Sequence, residues 1–425
     1  MRLLPLLLVA AVLVGCNSGG ESEPEPAPPP RGITRAELVE HLSALQEIAD
    51  RNGGTRAAGT PGYRESADYV AERLRDARWL ARRQTVPFPY FELKRATMRV
   101  GGRRLQRTRD FQVLSYSGSG QASGRLRPLG QGCSEGEFAQ LRPGEVPLVG
   151  RGQCFFRVKA RGAERAGARA LVVFDDVPTR RGVPSGTLAV PGIRIPVVLA
   201  AGRAARAGAA VRLDVNAVSE RRVTENVIAE TPGGGERRVV MAGGHLDSVA
   251  GGPGINDNGS GAATLIEAAE AIGPDPPGAR VRLAFWGAEE LGLLGSRRYV
   301  RSLDRSERRR ISAYINLDMV GSPNAVPELY ADGDSDLARV LRSAVGERLG
   351  TVAAGGSSDH APLAEAGVPV DGLYTGATER GPGGRPRDPC YHLACDTLDN
   401  VNRPVLLRMA QAAAKALRAL SAGSD

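Results

Sequence analysis

From Val239 to Leu420 the chain alternates short apolar runs with stretches of helical periodicity, and this order restricts the fold more than any other feature. Val239-Val240-Met241 reads as a strand, 262–272 as a helix, 281–286 and 311–317 as strands, and 337–345 and 405–420 as helices. Strands alternating with helices predict a mostly parallel, mixed sheet flanked by helices on both faces. The expected class is therefore α/β.

The folded part begins near Ile33. Thr34 and Glu37 form a capping box, and Leu38, Leu42, Leu45 and Ala49 then recur at helical spacing. His41 lies on this helix, on the flank of its packed face. A turn at Gly59-Thr60-Pro61-Gly62 leads to a second helix with Ala67, Val70 and Leu74 on one side. Near Leu93 the texture changes to short β-like runs broken by Gly and Pro, at 148–150, 170–174, 195–199 and 211–215. After Val223 the α/β alternation begins. Residues 93–221 thus read as a smaller β-rich domain inserted into an α/β domain formed by 33–92 and 222–425.

The N-terminus reads as an export signal. Arg2 precedes an apolar run over 3–14, too short to span a bilayer comfortably and followed by small residues. Leu13-Val14-Gly15-Cys16 resembles a bacterial lipobox, which implies cleavage before Cys16, lipidation of its thiol and an anchored, extracytoplasmic protein. Residues 17–32 are rich in Ser, Gly, Glu and Pro and read as a disordered tether. Four cysteines remain: Cys133, Cys154, Cys390 and Cys395. They allow three pairings. In an oxidising compartment the local pairs Cys133–Cys154 and Cys390–Cys395 are favoured, with a buried free thiol at Cys154 as the alternative. The formal net charge of +9 suggests a nucleic-acid or membrane-surface binder. However, the arginines are spread along the chain among acids, and no aromatic-rich basic strand offers base stacking, so no nucleic-acid partner is expected.

The chemistry lies between residues 245 and 392. His245 follows a strand in Gly243-Gly244-His245-Leu246-Asp247, where an open α/β sheet places its active site. Asp247 is expected to accept the second ring N–H of His245 and fix its tautomer. Asp257 lies in the Gly-rich turn 254–261, Glu289-Glu290 follow the strand ending at Trp286, Asp318 follows 311–317, and His392 sits between Cys390 and Cys395. Together they supply three ligands to each of two zinc ions if one carboxylate bridges, and leave one carboxylate to handle protons.

Those residues sit in strings that resemble the M28 family of zinc aminopeptidases, near the bacterial secreted and leucyl aminopeptidase type. The strings are Gly244-His-Leu-Asp-Ser248, Gly254-Ile-Asn-Asp-Asn-Gly259, Gly287-Ala-Glu-Glu-Leu-Gly292, Asn316-Leu-Asp-Met-Val-Gly321, Ser358-Asp-His-Ala-Pro362 and Cys390-Tyr-His392. Gly132-Cys133, Val149-Gly-Arg-Gly152, Cys154-Phe-Phe156, Lys159 and Ala166-Gly-Ala168 resemble a protease-associated domain. The resemblance implies that His245 and Asp318 bind one zinc, Glu290 and His392 the other, and that Asp257 bridges both. It implies Glu289 as general base, Tyr391 as a donor to the developing oxyanion, and a cis peptide after Asp257. Asp359 and His360 are expected to support the ligands from behind. Relatives often carry Arg where this chain has Ser357, which places an Arg contact to substrate in doubt. The loop 375–388 is expected to border the entrance. The motifs neither require nor exclude a calcium ion.

The expected activity is hydrolysis of the N-terminal peptide bond of peptides, favouring large apolar first residues. Three alternatives stand beside it: glutaminyl cyclisation on one metal, a dipeptidase or carboxypeptidase specificity, and a non-catalytic surface receptor. A serine hydrolase is disfavoured because Asn258-Gly-Ser-Gly261 is not a nucleophile elbow.

Overall fold

The computed structural model describes residues 31–175, 182–330, 335–347, 349–352, 357–381 and 383–423. Cys16 and most of the expected tether lie outside them. The α/β domain is built on the strand Gly235–His245, paired in parallel with Ala279–Trp286 on one side and Ile311–Leu317 on the other. Ile311–Leu317 pairs in parallel with Val370–Tyr374, and Ala210–Glu230 adds an antiparallel neighbour beyond Ala279–Trp286.

Successive residues of each central strand feed opposite layers. Val240 and Ala242 pack with Leu42, Leu45, Leu265, Ile266, Met409 and Leu417, under the helices Arg35–Arg51, Ser260–Ile272 and Arg403–Ala422. Met241 points the other way, to Trp286, Tyr299, Tyr314 and Leu363. Both faces are apolar, so these strands read as continuous hydrophobic runs. Helix ends follow local chemistry: Thr34 and Glu37 form the reciprocal cap, and Asn402 accepts the Val405 amide at 3.2 Å ahead of the last helix.

The insert carries its own parallel strands, Gly120–Pro128, Glu145–Gly150, Leu171–Asp175 and Val197–Ala201, in that order. Separate cores cover its two faces, one around Met98, Leu126 and Val198, the other around Phe138, Val149 and Leu199. Two long strands join it to the α/β domain. Leu80–Val100 and Ala210–Glu230, 21 residues each, form one antiparallel ribbon running from Leu80↔Glu230 to Val100↔Val211. One bulge interrupts it, between Leu93 and Arg95. The boundaries read at 93 and 222 therefore fall inside continuous strands, not loops. Pro87, Pro89 and the largely solvated middle of the ribbon remove the alternation by which a strand is recognised. Both local disulfides are present, Cys133–Cys154 and Cys390–Cys395. Among the described residues no helix is long and apolar enough to cross a membrane.

Candidate metal centre

Every expected ligand lies at the carboxyl edge of the parallel strands. His245 ends its strand opposite Trp286. Glu289 and Glu290 leave the neighbouring strand after Trp286, and Asp318 leaves the next one after Leu317. His392 arrives from the disulfide-closed loop between Cys390 and Cys395. Asp257 enters through a distorted turn over Ile255–Gly259, with a cis peptide to Asn258. Gly254, at φ +64°, is required there, because a Cβ would run into the Asp257 carbonyl and Ser248.

The Asp257 carboxylate stands between two ligand pairs. Its Oδ1 is 3.2 Å from His245 Nε2, and its Oδ2 is 3.2 Å from His392 Nε2. His245 Nε2 is also 3.3 Å from Asp318 Oδ1, and His392 Nε2 is 3.2 Å from Glu290 Oε2. Ligand atoms of His245, Asp257 and Glu290 all fall within 4.8 Å of one another. The second oxygen of Glu290, Oε1, is buried with no hydrogen-bond donor. Two imidazoles and three carboxylates, one of them with an orphaned oxygen, are a donor set that fits zinc. Among the described residues a second group, His41, Glu267 and Glu270, also brings ligand atoms together. There the His41 ring is already taken by Tyr69 at 2.6 Å and Glu267 at 2.9 Å.

A further layer of contacts fixes the ligands. The expectation for Asp247 is corrected: His245 Nδ1 lies 2.9 Å from the Asp247 backbone carbonyl, while the carboxylate is 3.9 Å away. The Asp247 carboxylate instead accepts the Glu289 and Glu290 amides at 3.1 and 3.4 Å, and so positions both glutamates. Ser358 donates to Asp318 Oδ2 at 2.7 Å and is itself held by Asn316. Asp396 accepts the Asn256 and Asp257 amides at 2.9 Å each. Arg56 is fully buried, with Nε on the Pro253 carbonyl at 2.9 Å, Nη1 on Leu246 at 2.5 Å and Nη2 on Gly254 at 2.6 Å. It thereby binds the whole segment between His245 and Asp257. Sequence reading gave no role to Ser358, Asp396 or Arg56. Ser358 and Asp396 lay beside marked residues, but an isolated arginine in an arginine-rich chain carries no signal.

Comparison with known proteins places this arrangement. Residues 226–417 match the model of Peptidase family M28, and 122–211 match that of the PA domain. An aminopeptidase of Pseudomonas aeruginosa strain UCBPP-PA14 is 36% identical over 430 residues, covering 89% of this chain and 79% of that protein. A Mycobacterium tuberculosis protein, described as the probable lipoprotein aminopeptidase LpqL, is 35% identical over 466 residues, covering 95% and 91%. The chain belongs to peptidase family M28. Among solved structures, BSAP, a zinc aminopeptidase from Bacillus subtilis, aligns with a TM-score of 0.62 at 28% identity, covering 94% of this chain and 97% of that one.

The M28 centre opens into a cavity of about 320 Å³. Glu289, Glu290, Asp257 and Asp318 line its base, Tyr391 its side, and Met319, Tyr330, Val352, Tyr374 and Ala377 an apolar wall. Ser357 also lines it, where an Arg was expected to be missing. Of the loop 375–388, Ala377, Thr378 and Glu379 reach the cavity. Tyr391 stacks on His392 with ring centroids 3.8 Å apart. His360 is buried and stacks on Tyr330 at 4.8 Å. Asp359 is fully buried, and that burial raises it to about 7. Ala288, Met319 and His392 have φ of +60°, +52° and +59°, a region non-glycine residues occupy sparingly. Each of the three is a ligand or adjoins a ligand or Glu289.

Burial and neighbouring charges shift the acids and imidazoles of this site in opposite directions. Burial raises Glu289 well above the usual carboxylate range, helped by Asp359, Asp318 and Asp247 against the pull of His245. Burial also raises Asp247, to about 7. For His245 burial acts downward, but Glu289, Asp318 and Asp257 outweigh it and raise the ring well above its ordinary value. Hydrogen bonds to Asp257 and then Glu290 raise His392 to about 10. Asp257 is pushed upward by burial, yet the two imidazoles hold it at about 2.

Proposed function

We propose that this chain is an extracytoplasmic di-zinc aminopeptidase that removes N-terminal residues from peptides. The observation that carries the reading is the Asp257 carboxylate, with one oxygen turned to His245 and the other to His392. On this reading His245 and Asp318 would hold one zinc, Glu290 and His392 the other, and Asp257 would contribute to both. Bound zinc supplies Lewis acidity toward the scissile carbonyl and makes a water molecule more acidic. Glu289, lining the cavity and outside the ligand set, would take a proton from the attacking water and deliver it to the departing amine. The Tyr391 hydroxyl donates to the developing oxyanion. The apolar wall of Met319, Tyr330, Val352, Tyr374 and Ala377 receives the first side chain and favours large apolar ones.

The remaining assignments belong to the same proposal. The peptidase domain comprises 33–92 and 222–425, the protease-associated domain 93–221, and Cys16 carries a lipid anchor to the cell envelope. The name of the Mycobacterium tuberculosis relative and the two disulfides support export. The test is hydrolysis of leucyl p-nitroanilide and of free and N-acetylated peptides by the zinc-reconstituted chain. Cleavage restricted to free N-termini, and abolished in Glu289→Ala, supports the proposal. An inactive parent that instead cyclises N-terminal glutamine overturns it.

A further inference from the structure

One carboxylate in the cavity has no part in the chemistry above. Glu379 lines the same cavity, next to the apolar wall. Its carboxylate is fixed by three contacts: the Tyr374 hydroxyl donates to Oε1 and Oε2 at 3.0 and 3.1 Å, and the Ala377 amide donates to Oε2 at 2.7 Å. Tyr374 and Ala377 are themselves wall residues. Of the neighbouring cations, Arg387 feels the Glu379 charge but makes its ion pair with another carboxylate. Arg387 forms a two-point ion pair with Glu328, with Nη1–Oε2 at 2.5 Å and Nη2–Oε1 at 3.2 Å. Arg380 donates to the Gly384 carbonyl. Among the described residues no ion pair to Glu379 is formed. The other carboxylates lining the cavity, Asp257, Glu289, Glu290 and Asp318, sit with the two histidines. A cavity with an apolar wall and a single pre-oriented carboxylate next to it is complementary to an aliphatic stem that ends in a positive charge.

We propose that Glu379 is a specificity-determining residue that selects substrates whose first residue is lysine or arginine, the methylene stem lying on the apolar wall and the terminal cation meeting the carboxylate. The proposal rests on the aminopeptidase reading and extends it from large apolar side chains to long cationic ones. Glu379 is solvent-exposed, so the charge-assisted contact is screened, and its effect is expected at about 10-fold.

The experiment compares kcat/KM of the zinc-reconstituted full chain on leucyl, lysyl, arginyl and glutamyl p-nitroanilides for the parent, Glu379→Gln and Glu379→Lys. The expected result is a Lys/Leu ratio that falls about 10-fold in Glu379→Gln, a Glu/Lys ratio that rises in Glu379→Lys, and a parent Lys/Leu ratio that declines with added salt. Ratios that stay within about twofold of the parent's would overturn the proposal. So would an equal loss on all four substrates, which would place Glu379 at the substrate's terminal ammonium. A parent that cleaves none of the anilides sinks the aminopeptidase reading itself, an outcome distinct from a parent that cleaves them without the ratio change.

Discussion

Arg56 offers a severe test of how the metal centre is held. The substitution is Arg56→Met, which keeps an unbranched apolar stem but removes every donor. The backbone carbonyls of Leu246 and Pro253 lose their partner in a fully buried position, while that of Gly254 keeps the Gly259 amide at 3.0 Å. A buried acceptor left without a donor costs about 1–3 kcal/mol, so the two sum to roughly 2–6 kcal/mol. Part is offset because a guanidinium whose burial lowers its pKa to about 10 no longer has to be desolvated. A net loss of about 3–5 kcal/mol is expected, the range for breaking a buried charged network. Urea unfolding followed by tryptophan fluorescence reads this directly, because Trp79 and Trp286 are both buried in the α/β domain. The freed segment also joins His245 to Asp257, so zinc affinity is expected to weaken about 10- to 100-fold. A loss below about 1 kcal/mol together with parental zinc affinity would refute the reasoning.

The other predictions concern protons and disulfides. Glu289→Gln is expected to retain zinc and to lower kcat by about 10²- to 10⁴-fold; a kcat within threefold of the parent's, measured on leucyl p-nitroanilide, removes Glu289 from proton transfer. Zinc must displace the protons on His245 and His392, so binding heats near pH 7 should depend on the ionisation enthalpy of the buffer and affinity should rise toward pH 10; buffer-independent heats contradict this. The sign is that of a raised histidine pKa: the stability His392 lends the zinc-stripped protein is full below about pH 6.5 and is lost as pH rises through about 10. Thermal melts of stripped and loaded protein across that window check it. Opening the Cys390–Cys395 loop by paired Ser substitutions should cost about 2 kcal/mol and loosen His392, whereas opening Cys133–Cys154 should cost about 3 kcal/mol and spare zinc binding; equal zinc loss in both pairs of variants shows that the short loop has no special role.

What was legible in the sequence follows from how each signal is written into the chain. Strands buried on both faces, such as the stretch 239–242, announce themselves by unbroken apolar runs, and residues at their carboxyl ends could be named before any geometry was known. His245, Asp257, Glu289, Glu290, Asp318 and His392 come together at one cavity. The ribbon Leu80–Val100 stayed hidden because its length comes from backbone pairing with a segment more than a hundred residues away, not from local pattern. The Asp247 error has the same origin: two neighbouring acceptors, a carboxylate and a carbonyl, compete for one ring N–H, and only coordinates separate 2.9 from 3.9 Å. Arg56 was invisible because its partners are backbone carbonyls, which every residue has.

The measurement that bears most directly on the proposed centre is zinc content per chain, by atomic emission after equilibration at fixed free zinc, for the parent and for Asp257→Ala. If Asp257 is shared, the parent binds two zinc ions per chain and the variant loses both with a single weakened transition. One zinc in the parent, or a variant that still holds one of two at parental affinity, contradicts the shared-carboxylate centre.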